Sequence, residues 1–86
     1  MAEEEIGVVT HYFGHIMVAG LKLERGSLKV GDTIRFHGHT TDFAQKVESV
    51  QVDNVSVVEA KPGEEIGIKV TDKVRAHDKV YKVTED

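Results

Sequence analysis

Apolar and polar positions alternate along most of the chain, glycine interrupts the pattern, and no stretch keeps the three-and-four spacing of a helix. Ile6 to Phe13 and Ile16 to Leu23 read as two strands joined by a tight turn at Gly14-His15. Thr33 to His37 places Ile34 and Phe36 on one face and Arg35 and His37 on the other. Phe43 to Asp53 reads as one long strand whose apolar phase slips between Val47 and Val50, which predicts a bulge near Glu48-Ser49. Val55 to Ala60 is a shorter strand. Glu65 to Val70 alternates cleanly, with Gly67 and Lys69 outward, and Val80 to Val83 is the last strand.

The punctuation between these runs has its own logic. Lys61-Pro62-Gly63-Glu64 carries proline and glycine where a type II turn needs them. Leu28-Lys29-Val30-Gly31-Asp32-Thr33-Ile34 is echoed by Val74-Arg75-Ala76-His77-Asp78-Lys79-Val80. In both, an aspartate opens a strand directly after a turn. Gly31 supplies a positive φ there, and His77 stands in the glycine's place, a conformation that histidine tolerates better than most residues. About six strands with no helix to cover a sheet face predict an all-β fold, a small closed antiparallel six-stranded barrel of Greek-key type, since closure removes exposed edges.

Composition narrows the class further. At 86 residues the chain has room for one core, placed at 6–84, with residues 1–5 expected to be an acidic, flexible N-terminus. The absence of cysteine excludes disulfides, thiolate metal sites and cysteine nucleophiles. The start is acidic where a signal peptide is basic and then apolar, and no apolar run is long enough to span a bilayer. A cytoplasmic location with no membrane partner is the expectation. The formal net charge of −4 is concentrated at the ends: of fifteen acidic residues five lie in 1–5 and 85–86, leaving ten against eleven basic ones in between. Neither strong repulsion nor strong attraction of nucleic acid follows.

Gly20 to Phe36, above all Glu24-Arg25-Gly26-Ser27-Leu28-Lys29-Val30-Gly31-Asp32, resembles the second domain of translation GTPases such as elongation factor Tu. Ala60-Lys61-Pro62-Gly63-Glu64-Glu65-Ile66-Gly67-Ile68 and Val74 to Val80 extend the resemblance over nearly the whole chain. The segment His37 to Ser49 resembles stand-alone translation elongation factor-like proteins and the C-terminal barrel of collagenase-like peptidase relatives, which include tRNA-modifying enzymes. The resemblance implies a translation-factor barrel that docks on RNA, the ribosome or an RNA-modifying protein. No G-x-x-x-x-G-K-[ST] occurs, so GTP hydrolysis is excluded.

No catalytic constellation stands out. Ser27, Ser49 and Ser56 lack a nucleophile elbow, and the carboxylates sit at predicted turns. His37 and His39 are the runner-up metal pair, but the glycine between them suggests a loop, and no metal or other cofactor is expected. Lys69, Lys73, Arg75, Lys79 and Lys82, with Tyr81 among them, form the RNA-binding candidate, because phosphate neutralisation and base stacking need cations and a ring on one face. Alternating lysines also solvate the outside of a barrel. Gly31, Asp32, Pro62, Gly63, His77 and Asp78 are assigned to structural turns. The expected function is a non-catalytic binding module related to translation or RNA metabolism. The alternative is a protein-protein adaptor; DNA is not an expected partner.

Overall fold

The alternating residues of the chain converge on one core in the computed structural model, which describes residues 2–84. Ten strands run through it, and no helix occurs among the described residues: β1 (Ala2–Phe13), β2 (Val18–Leu23), β3 (Leu28–Lys29), β4 (Thr33–His37), β5 (Asp42–Lys46), β6 (Val50–Val52), β7 (Val55–Val57), β8 (Glu59–Ala60), β9 (Glu65–Lys69) and β10 (Lys79–Thr84). Eight form an antiparallel sheet in the order β5-β4-β10-β1-β2-β9-β6-β7, and β3 pairs with β8 in a second, two-stranded sheet. Ile34 and Phe36 of β4 share the core with Ile66 and Ile68 of β9, four places away in the sheet, so the sheet is strongly curled.

The closed six-stranded barrel expected from the sequence is therefore corrected. Among the described residues no backbone ladder joins β5 to β7. β7 has three residues, and the chain just beyond it is drawn off when Val58 accepts a hydrogen bond from Val30 N–H at 3.0 Å. On the other edge a side chain does the bridging. Gln45 Nε2 donates to Lys69 O at 2.8 Å, and Thr71 N–H donates to Gln45 Oε1 at 2.9 Å, so the amide imitates a peptide group.

Other boundaries move for local reasons. The first hairpin turns over Gly14–Met17, with Met17 at φ 55°, and β2 starts at Val18 rather than Ile16. The long strand expected at Phe43 to Asp53 is two strands, because Val47 N–H and C=O are taken by Asp32 O and Gly31 N. Asp53 and Asn54 both have positive φ, at 51° and 64°, which makes the β6–β7 link a two-residue turn of the kind that matches strand twist. Residues 2–5, expected to be flexible, extend β1: Glu3 pairs with Val83 and Glu5 with Tyr81.

One turn design recurs three times. In Lys29–Asp32, Lys61–Glu64 and Arg75–Asp78 a basic residue opens the turn, the third residue has φ of 99°, 91° and 77°, and an acid closes it. Each acid bonds back to the opening amide: Asp32 Oδ2 to Lys29 N at 3.0 Å, Glu64 Oε1 to Lys61 N at 2.6 Å, Asp78 Oδ2 to Arg75 N at 2.8 Å. Each turn also docks on one residue of another segment, which gives its C=O to the third residue and its N–H to the fourth. The docking residues are Val47, Leu23 and Val9 respectively.

His77 occupies the position that glycine fills in the other two turns. His77→Gly is expected to be neutral or stabilising by up to about 1 kcal/mol, whereas His77→Val should cost more than about 1 kcal/mol, because a β-branched residue resists positive φ. Chemical denaturation of the two variants checks this; equal midpoints would show that the turn carries no strain.

Candidate functional site

Glycine in a strand costs stability, so an outward glycine between buried neighbours invites a functional explanation. Gly20 lies between buried Ala19 and Leu21, and Gly67 between buried Ile66 and Ile68. The two are register partners across β2 and β9. The same row continues to His11 on β1 and to Gln51 on β6. On the outer face of the sheet the row therefore reads His11, glycine, glycine, glutamine, with bare peptide backbone in the middle. A Cβ at Gly67 would meet nothing nearer than Val18 Cγ1 at 3.5 Å, so the floor is open there, whereas at Gly20 the Thr10 hydroxyl, which donates to Gly20 O, lies 3.3 Å from where a Cβ would stand.

The floor belongs to a groove of about 400 Å³. Phe13, Ile16 and Val18 form its apolar wall, and Gln51, Asp53, Asn54 and Glu65 its polar one. Phe13 and Ile16 are 51% and 62% exposed, large values for such side chains, and the Phe13 ring lies 6.0 Å from that of His11. The tight Asp53-Asn54 turn places two polar side chains at the rim. No lysine or arginine lines the groove. Lys22 and Lys69 stand in the adjoining rows, opposite Glu65 and Val18.

The structure divides the basic residues singled out from the sequence among three places. Lys69 borders the groove. Lys73 and Arg75 line a second hollow, of about 360 Å³, with Thr40, Thr41 and Phe43. Lys79, Tyr81 and Lys82 lie along β10 among acidic neighbours. Lys79 Nζ is 3.7 Å from Glu5 Oε2, and Lys82, on the same side of the strand as buried Val80, reaches Asp32 Oδ2 at 3.4 Å and Ser27 O at 3.3 Å. Tyr81 is half-buried between Glu5 and Arg35. Arg35 binds Asp42 at 2.8 Å and Glu3 at 3.1 Å, and hydrogen bonds to Asp42 and then Glu3 raise its pKa above the ordinary arginine value. The glutamates of β1 thus answer the cations of β4 and β10, and these cations do not form a continuous phosphate track with Lys69, Lys73 and Arg75.

His37 ends β4 and His39 lies in the loop beyond it, and among the described residues no group of three histidine, aspartate or glutamate side chains is arranged to hold a metal ion. No helix among those residues is long and apolar enough to cross a membrane. The turn residues Gly31, Asp32, Pro62, Gly63, His77 and Asp78 lie in the three repeated turns, away from the groove lining. Gly20, Phe13, Gln51 and Asn54 were not among the residues singled out from the sequence; the signal that marks them is an outward glycine in each of two strands.

The family profile of elongation factor Tu domain 2 matches residues 17–81. The chain belongs to that family. The match takes in β2 through β9 and the start of β10, and so the glycine floor and all three turns. Among curated proteins, an uncharacterized protease of Methanocaldococcus jannaschii is 39% identical over 82 residues, covering 94% of this chain and 20% of that protein. A collagenase of Porphyromonas gingivalis is 38% identical over 78 residues, covering 90% of this chain and 22% of that protein. The chain spans about a fifth of the length of these relatives, to which it corresponds as a small accessory domain. Among solved structures, the C-terminal domain of a Geobacillus thermoleovorans protein described as a U32 peptidase superposes with a TM-score of 0.87 at 20% identity, over 94% of this chain and 93% of that one. That solved domain shares the fold of this chain.

Proposed function

We propose that this family member is a non-catalytic binding module of RNA metabolism and that its groove receives an unpaired base. The observation that carries this reading is the paired Gly20–Gly67 floor, open over Gly67 and edged by the Thr10 hydroxyl at Gly20, between an aromatic wall and an amide wall. Planar bases stack on exposed aromatic rings such as Phe13 with little regard for sequence, the glycines leave room for them, and amides and carboxylates can bond the exposed base edge. Asp53 and Glu65 repel phosphate from the interior, so the base enters and the backbone stays at the rim, where Lys69 stands. The carboxylates accept from exocyclic amino groups, which favours adenine, cytosine or guanine over uracil.

The test is anisotropy of labelled single-stranded RNA on the wild type and on Gly67→Val. A β-branched residue suits the strand and fills the floor. Affinity should fall about tenfold or more while the melting temperature stays at or above the wild-type value, since stacking is worth about 1–3 kcal/mol per base. Exposed Phe13 and Ile16 also suit a protein adaptor. That second reading becomes the better one if partners co-purify equally from ribonuclease-treated and untreated lysate and the RNA affinity of Gly67→Val equals that of the wild type.

A further inference from the structure

The second hollow lies between the β4–β5 hairpin and the segment 72–75, away from the glycine floor. Unlike the cations of β10, its two cations make no ion pair among the described residues. Asp42 is held by Arg35, whose Nε donates to Oδ1 at 2.8 Å, and Asp72 Oδ1 accepts from the Lys73 amide at 2.7 Å. Among the described residues the side chains of Lys73 and Arg75 enter no ion pair, and the hydroxyls of Thr40 and Thr41 make no hydrogen bond. The lining thus carries two cations, Lys73 and Arg75, and two carboxylates, of which Asp42 is already held by Arg35 from outside the hollow. The walls are firm: Gly38 N–H bonds Thr41 O at 2.8 Å, Thr41 is buried, and the Arg75 amide is held by Asp78.

We infer that this hollow is a phosphate subsite, held by Lys73 and Arg75 with the Thr40 and Thr41 hydroxyls as donors, and that a strand whose base sits on the glycine floor passes Lys69 to reach it. The inference rests on the groove reading for the strand's entry and on the hollow itself for the phosphate. The route is written in the chain. Lys69 follows Gly67 by two residues on the same outer face, Val70 N–H bonds Met17 O at the hairpin beside the groove, and Lys73 lies six residues from the floor. Six residues span at most about 20 Å. A few nucleotides cover that distance. A lone phosphate and a strand phosphate present the same oxygens, so the two sources are told apart by length.

Inorganic phosphate titrated into isotope-labelled protein should shift the amide signals of Thr40, Thr41, Lys73 and Arg75 and leave Gly20 and Gly67 unmoved. A tetranucleotide should shift both sets, and adenosine only the groove set. The exposed double variant Lys73→Gln with Arg75→Gln should bind the tetranucleotide more weakly, with a salt slope smaller by roughly 0.7 per lost phosphate contact, while adenosine binding is unchanged. An unchanged slope together with no response to phosphate overturns the subsite and leaves the groove reading standing. A response to phosphate with none to adenosine upholds the subsite and removes the strand's proposed entry.

Discussion

A Gly7→Ala protein is expected to be strongly destabilised, by more than about 3 kcal/mol. Gly7 has ordinary negative φ, so the residue is not there for a left-handed turn. It lies at the register shift in which β1 passes from Glu5 opposite Tyr81 to Gly7 opposite Val80, and it is buried beside buried Ile6. A Cβ on Gly7 would overlap the Lys22 carbonyl oxygen, with Lys22 C at 3.2 Å and Leu23 Cα at 3.3 Å. These are backbone atoms of the neighbouring strand. They cannot rotate away, and Leu23 is itself held to Gly63 and Glu64 by two backbone bonds. Overpacking a core commonly costs about 1–3 kcal/mol even when side chains can adjust. With backbone as the obstacle the cost should exceed about 3 kcal/mol, a large part of the roughly 4–13 kcal/mol available to a chain of this length. Circular dichroism against urea would show it. A midpoint within a small fraction of the wild-type value would mean that β1 and β2 separate more easily than their ladder suggests.

Asp78→Ala should be the most damaging change among the three repeated turns, at about 2–4 kcal/mol, against about 1–2 kcal/mol for Asp32→Ala. Both carboxylates make the same bond to the opening amide of their turn. The difference is burial. Asp78 is 5% exposed, packs against the backbone of Gly38, and leads into β10, the strand between β4 and β1. Its removal leaves the partly buried Arg75 amide without a partner and a hole under the β4–β5 hairpin. Asp32 keeps partial access to water, and its loss also releases Lys82. Thermal denaturation of the two single variants and the double variant checks the order. Equal costs would show that the turn's backbone bonds to Val9 and Val47, rather than burial of the acid, carry its stability.

The recurring acid turns were half visible in the sequence. The order apolar, basic, apolar, turn, aspartate is local, and so is the need for positive φ at its third turn position, met by glycine at Gly31 and by histidine at His77. That Lys61–Glu64 belongs to the same set could not be read, because its closing acid is glutamate and its second residue proline. The acid's bond to the opening amide and the docking on Val9, Leu23 and Val47 unite the three, and the docking contacts join residues far apart in the chain.

By itself the sequence determined the all-β class, the inward residues of most strands, the positions of the turns and the outward placement of Gly67 and Lys69. Each of these follows from a period of two or from a preference of one residue for one backbone conformation. Tertiary structure alone decided how many strands there are, that the sheet stays open where Gln45 spans the gap, and that residues 2–5 pair with β10. It also decided the fate of the charges. Lys79 and Lys82 looked like companions of Lys69, Lys73 and Arg75, but the fold places Glu5 and Asp32 against them. The glycine floor exists for the same reason. Gly20 and Gly67 are forty-seven positions apart, and only the register of β2 against β9 turns two separate losses of a side chain into one flat surface.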